Sequence, residues 1–203
     1  MAKEKSLNVK VTIKDARLSF PRLFKAERFD EKDTSKDPTF GCHLILDKKK
    51  DAGIIREIQK HIKDMSLKKF GEELDPSRIC LRDGKTKKDL AGYGPDVMFL
   101  SCTSKMNQRP WVGSAHTGQL LPVQEGDEYA PYAGCFVNAT VTLWTQQGGK
   151  WGTRVNCQVR AVAYRRKGDP FGARSVTDGE EEFADLQGDL GGDEGGEEGS
   201  ELL

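Results

Sequence analysis

A chain of 203 residues, 36% of them hydrophobic, accommodates one large domain or two small ones with a sizeable core. No stretch approaches the ~20 apolar residues of a membrane span, and the opening MAKEKSLNVK has no apolar signal-peptide region, so a cytosolic protein is expected. The 32 basic and 32 acidic residues balance only formally: 11 acidic and no basic residues lie from Asp178 onward, so the remaining 21 acidic against 32 basic leave residues 1–177 at +11, an asymmetry that points to nucleic acid.

In chain order, Val9, Val11 and Ile13 alternate as a first strand, and the inward parity then shifts to Ala16, Leu18 and Phe20. A one-residue shift inside an extended run predicts a bulge or tight bend near Lys14-Asp15, and Pro21 is expected to end or redirect the strand. The segment beginning at Arg17 interleaves Arg17, Arg22, Lys25 and Arg28 with Phe20, Phe24 and Phe29. This composition fits a nucleic-acid surface, and equally core rings with solvated cations. After a charged loop, Phe40, Cys42, Leu44 and Leu46 form the inward face of a second strand. Asp51 is placed to cap a helix, in which Ile54, Ile55, Ile58, Ile62 and Met65 recur at helical spacing to about Phe70, with Gly71 at its C-terminal end. This helix is read as the cover of a barrel. Short strands are expected at Arg78–Leu81, Val97–Thr103 and Leu120–Val123, with Asp83–Asp89 and Lys105–Trp111 as basic loops.

The strongest local signal is a hairpin from Gly134 to Arg166. Val137, Ala139, Val141 and Leu143 share one face of its first strand; Phe136, Asn138, Thr140, Thr142 and Trp144 share the other. In the return strand Val155, Cys157, Val159 and Ala161 lie opposite Arg154, Asn156, Gln158 and Arg160, with Tyr164 and Arg166 continuing the polar face. A three-residue loop, Gly148-Gly149-Lys150, pairs Trp144 with Arg154, Thr142 with Asn156 and Leu143 with Val155, and keeps the faces sorted. The result is an aliphatic face for a core and a face of rings, amides and guanidinium groups. That second face suits single-stranded nucleic acid, or is an ordinary solvated sheet face.

Lys167–Val176 reads as a linker, and Asp178–Leu203, rich in Gly, Asp and Glu, cannot bury enough apolar surface to offset ordering entropy and is expected to be disordered. The expected division is therefore 1–172 as a folded domain and 173–203 as linker and acidic tail. The five cysteines are scattered, without Cys-x-x-Cys, and read as buried hydrophobes in a reducing compartment. No phosphate loop, nucleophile elbow or His-Glu-x-x-His appears. Asp96, Glu125, Asp127 and Glu128 look like turn chemistry, so no enzyme, cofactor or metal is expected.

Ala16-Arg17-Leu18-Ser19-Phe20-Pro21-Arg22-Leu23-Phe24 and Tyr132-Ala133-Gly134-Cys135-Phe136-Val137-Asn138-Ala139 resemble the early and late signatures of bacteriophage single-stranded-DNA-binding proteins, with the tail alike by composition. The whole chain resembles members from enterobacterial tailed phages. The resemblance implies a mainly β OB-fold, a five-stranded, partly open barrel that binds oligonucleotides. It also implies an acidic tail that competes with DNA and recruits replication proteins such as a polymerase or helicase. Trp144, Phe136, Phe99 and Trp111 are the expected base-stacking residues. Arg154, Arg160, Arg17, Lys105 and Arg109 are the expected phosphate contacts, with Tyr164 on the same surface. Glu197, Glu198, Glu201, Leu202 and Leu203 are the expected partner-binding tip. The expected role is coating single-stranded DNA during phage replication, recombination and repair in the cytoplasm of the infected bacterium. Duplex DNA as a second ligand and a homodimer stay open. The rivals are a strand-annealing mediator and a docking protein whose tail mimics DNA.

Overall fold

The computed structural model describes residues 6–28, 35–149 and 152–172. Alternating stretches form strands β1 (Asn8–Glu27), β2 (Thr39–Asp47), β3 (Leu81–Asp83), β4 (Val97–Lys105), β5 (Trp111–Ser114), β6 (Leu121–Pro122), β7 (Phe136–Gln146) and β8 (Arg154–Arg166), and the stretch of helical period forms α1 (Ala52–Phe70). Among the described residues the fold is mainly β with one α-helix. All strands join one sheet in the order β3-β4-β2-β1-β7-β8-β5-β6, antiparallel except where β5 runs parallel to β8. The five strands implied by the resemblance correspond to the five long ones, β1, β2, β4, β7 and β8; the short strand expected at Arg78–Leu81 is displaced to β3, behind a single 3-10 turn at Pro76–Arg78, the one expected at Leu120–Val123 forms β6, and β5 begins at Trp111, where a loop is expected.

The ladder is not closed. β4 and β8 nevertheless meet across the interior, where Ser104 Oγ donates to Val159 O at 2.7 Å and the Cys102 and Cys157 sulfurs lie 3.3 Å apart. Ile13, Leu18, Leu44, Leu100, Val137, Leu143 and Val162 are buried in the core, and α1 contributes Ile55, Ile58, Ile62 and Met65. Gly71 ends α1 in the left-handed region (φ 78°), its N–H donating to Leu67 O. Asp51 stands at the start of α1 but makes no side-chain cap. Its carboxylate accepts from Asp47 N at 2.8 Å instead, which closes the β2–α1 turn.

β1 bends where its parity shifts. Its pairing with β7 slips between Ile13 and Ala16, and Asp15 takes φ 56°. Pro21 redirects the strand rather than ending it: the pairing with β2 slips between Ser19 and Arg22, where proline offers no N–H to the ladder. Here the inward parity expected for Phe20 fails. Phe20 adopts φ 46° and turns outward, 45% exposed.

The hairpin faces are as expected as far as Val159, beyond which Ala161, expected on the aliphatic face, pairs with Thr140 of the polar face; the register is not as expected. Trp144 pairs with Asn156, Thr142 with Gln158 and Leu143 with Cys157, and the turn between Gln146 and Arg154 is longer than three residues. A slip by two residues preserves every face, which is why the face pattern alone could not resolve it. A bulge follows. Val141 pairs with Val159 and Thr140 with Ala161, leaving Arg160 as the extra residue. Parity inverts beyond it, so Tyr164 pairs with Val137 and is buried at 3% exposure. This removes Tyr164 from the polar face. The segment read as a linker is packed up to Gly172: Tyr132 Oη donates to Gly168 O and Phe171 N to Ala133 O, both at 2.9 Å.

Candidate nucleic-acid interface

The strand period sets Thr140, Thr142, Trp144 and Gln146 of β7 beside Arg154, Asn156, Gln158 and the bulged Arg160 of β8 on one outer face, half-buried to exposed. At the hairpin end lies a cleft of about 330 Å³ whose lining includes Trp144, Arg154, Asn156, Lys105, Thr103 and Arg82. Arg154 is steadied there by donating from Nη2 to Ser77 O at 2.6 Å, which leaves guanidinium donors for a ligand. At the opposite end Trp111, 40% exposed, pairs with Ala161 next to Arg160. Between the ends, Gln158 Nε2 donates to Gln108 Oε1 at 3.0 Å, drawing the turn that carries Lys105 and Arg109 against β8. From Arg154 to Arg160 the face runs roughly 20 Å at the rise of an extended strand. Six predicted residues, Lys105, Arg109, Trp111, Trp144, Arg154 and Arg160, thus share one surface. Lys10, paired with Thr142, and Arg82 join it. Arg82 escaped the sequence reading because the predicted third strand stopped one residue before it.

The other predicted residues lie elsewhere. Phe99 points to the outer side of β4, as Lys105 does, but His43 and Tyr93 pack on it with ring centroids at 4.9 and 5.3 Å, and it is 1% exposed. A base cannot stack on it. Arg17 and Phe136 pair across β1 and β7 in a separate cluster. Arg17 donates to Gly134 O and Asp169 O at 3.2 and 3.0 Å and lies 4.3 Å from the Phe171 ring centroid. Arg166 lies 3.4 Å from the Phe136 ring centroid, occupying one ring face, and grips the Asp15 carboxylate through two bonds of 2.9 and 2.8 Å. That grip, with Lys50 at 2.9 Å, holds the Asp15 carboxyl down to about 2. Both residues are committed within the chain. The expected tail tip, Glu197 to Leu203, lies outside the described residues.

The cleft side of the sheet is electropositive. Burial first, and then Lys87, Arg22 and Arg82, push the His43 imidazole down to about 4, so it is neutral near pH 7. The thiols of Cys42, Cys102 and Cys157 are raised, Cys42 foremost by its neighbour Cys102 and the other two by burial. Such thiols behave as hydrophobes. Among the described residues no cluster of His, Cys, Asp and Glu is suited to a metal ion, and no helix is long and apolar enough to cross a membrane.

Residues 9–193 match the family model described as Enterobacter phage Enc34, ssDNA-binding protein. Protein p50 of Acyrthosiphon pisum secondary endosymbiont phage 1 is 31% identical over 188 residues, which cover 88% of this chain and 94% of p50. The structure of the single-stranded DNA-binding protein from bacteriophage Enc34 in complex with ssDNA matches with a TM-score of 0.68 at 21% identity, over 80% of this chain and 89% of that one. A second structure of the Enc34 protein matches at 0.64 and 21% identity, over 82% and 86%. At this identity the likeness establishes the shared fold.

Proposed function

The chain belongs to the Enterobacter phage Enc34 ssDNA-binding protein family, and from that premise we propose that it coats single-stranded DNA, without a catalytic step, during phage replication, recombination and repair in the host cytoplasm. The observation that supports this most is the convergence of Trp144, Lys105 and Arg154 on one cleft. A ring that can stack on any base and cations that meet phosphates together make a sequence-tolerant site. Trp111, Arg109 and Arg160 extend the same surface along β8. The acidic segment from Asp178 onward competes for these cations and carries, at Glu197, Glu198, Glu201, Leu202 and Leu203, the contact for a polymerase or helicase.

The test is fluorescence anisotropy of a labelled oligo-dT with the full chain and with a chain ending at Thr177. Binding by both, tighter without the tail, supports the reading. Binding unchanged by truncation removes the competition and keeps the coating role. Binding by neither overturns it.

A further inference from the structure

β4 and β8 are not neighbours in the sheet order, and at the cleft the gap between them is crossed by residues 75–83. The crossing is held on both sides. Toward β8, Ile79 makes a single parallel bridge to Val155, and Ser77 O accepts the bond from Arg154 Nη2. Toward β4, Cys80 O accepts from Ser101 N at 3.0 Å, and β3 then pairs Leu81 with Leu100 and Asp83 with Met98. Ile79, Cys80 and Arg82 of this segment line the cleft.

The shape of the segment beside Arg154 follows from one side chain. Pro76 opens the 3-10 turn Pro76–Arg78, where its fixed φ suits the first helical position and its missing N–H costs no bond. Asp75 stands before the turn in extended backbone, φ −55° and ψ 144°. Its Oδ1 accepts from Ser77 N and its O from Arg78 N, both at 2.8 Å. A turn this short has almost no internal bonding of its own, so the Asp75 cap sets where Ser77 O points. The anchor it presents to Arg154 is neutral. Arg166, by contrast, is gripped by the Asp15 carboxylate through two bonds, which offset its charge. A carbonyl orients a guanidinium through one donor and leaves its charge and remaining donors to the cleft.

We propose that Asp75 is a positioning residue for the cleft: by capping the turn it presets Ser77 O, and through it the Arg154 guanidinium, where a phosphate of the single strand is met. The inference rests on the single-strand-binding reading above and deepens it, with no contact between Asp75 and the nucleic acid.

The full chain is titrated with labelled oligo-dT as wild type, D75N, D75A, R154Q and the two double variants, below the melting midpoint of each. Asparagine caps as well as aspartate and alanine does not. D75N and D75A carry the same charge, so their difference reads the cap free of electrostatics. Asp75 is exposed, so neither substitution opens the core. D75A is expected to bind about fivefold more weakly than D75N, within the range for one long side chain that must be ordered on binding. The difference is expected to vanish when each is combined with R154Q. Equal binding by D75A and D75N, with R154Q weakened, overturns the positioning role and leaves the function standing. A difference that persists beside R154Q overturns it too, because the cap then acts on the cleft at large and not through Arg154. Wild-type binding by R154Q overturns the Arg154 contact on which the inference rests. Absence of binding by the wild type overturns the function itself.

Discussion

His43 sits where burial and three nearby cations oppose its protonation, with its folded pKa near 4 against an ordinary 6.5. The folded state therefore binds fewer protons than the unfolded state between those values, and stability falls as pH drops through that window. Melting temperatures recorded at pH 7, 5.5 and 4.5 should decline, and H43Q should flatten the slope. Asp15 acts lower on the scale. Its carboxyl is held near 2, first by Arg166, so its contribution is intact above about pH 4 and is lost toward pH 2. D15N should lower the melting temperature at pH 7 and leave a smaller further loss on acidification to pH 2. At this scale the sequence was only partly legible. Trp144 and Arg154 could be placed because strand parity is local. Phe99 could not, because its cover, Tyr93, comes from a loop and not from the strand pattern.

Elements were legible wherever one period persisted. The shift from Ile13 to Ala16 announced the β1 bend, and the isoleucine spacing announced α1. Two features of β8 left no such trace. A register slip by an even number of residues changes no face, and a bulge at Arg160 inside an otherwise alternating run is indistinguishable from continued alternation until the partner strand is known. The bulge also sets Arg160 outside the β7–β8 ladder. Arg160 has no partner, and its neighbours Val159 and Ala161 pair with consecutive residues of β7. Deleting Arg160 should therefore preserve the pairing, changing the melting temperature little, and, on the proposal that Arg160 meets a phosphate, lower the salt slope by about 0.7. Bulges commonly re-aim a side chain at a site in this way. The packed segment after β8 makes the opposite prediction. A Cβ at Gly134, where φ is 104°, would stand 2.1 Å from Asp169 O. G134A should cost on the order of 1–3 kcal/mol, read as a lowered denaturant midpoint.

For the whole molecule, net charge was informative only after division: the neutral total hides a basic body and an acidic end. If the body binds phosphates in number, log affinity for oligo-dT should fall linearly with log salt at about 0.7 per phosphate neutralised, and a flat response would contradict the phosphate track. The class of fold could be read from the strand patterns and the two signature stretches, whereas the sheet order could not, because pairing between distant strands is set by the core and leaves no local mark. That order has a consequence for synthesis. Asn8 pairs with Trp144, so β1 must wait for β7 while well over a hundred residues emerge. At 5–20 residues per second the delay is on the order of ten seconds. Meanwhile β1, bent twice and flanked by β2 alone, presents an unpaired edge to the cell. A chain halted before Phe136 should show no cooperative melting, and the nascent chain should depend on host chaperones until the last two long strands arrive.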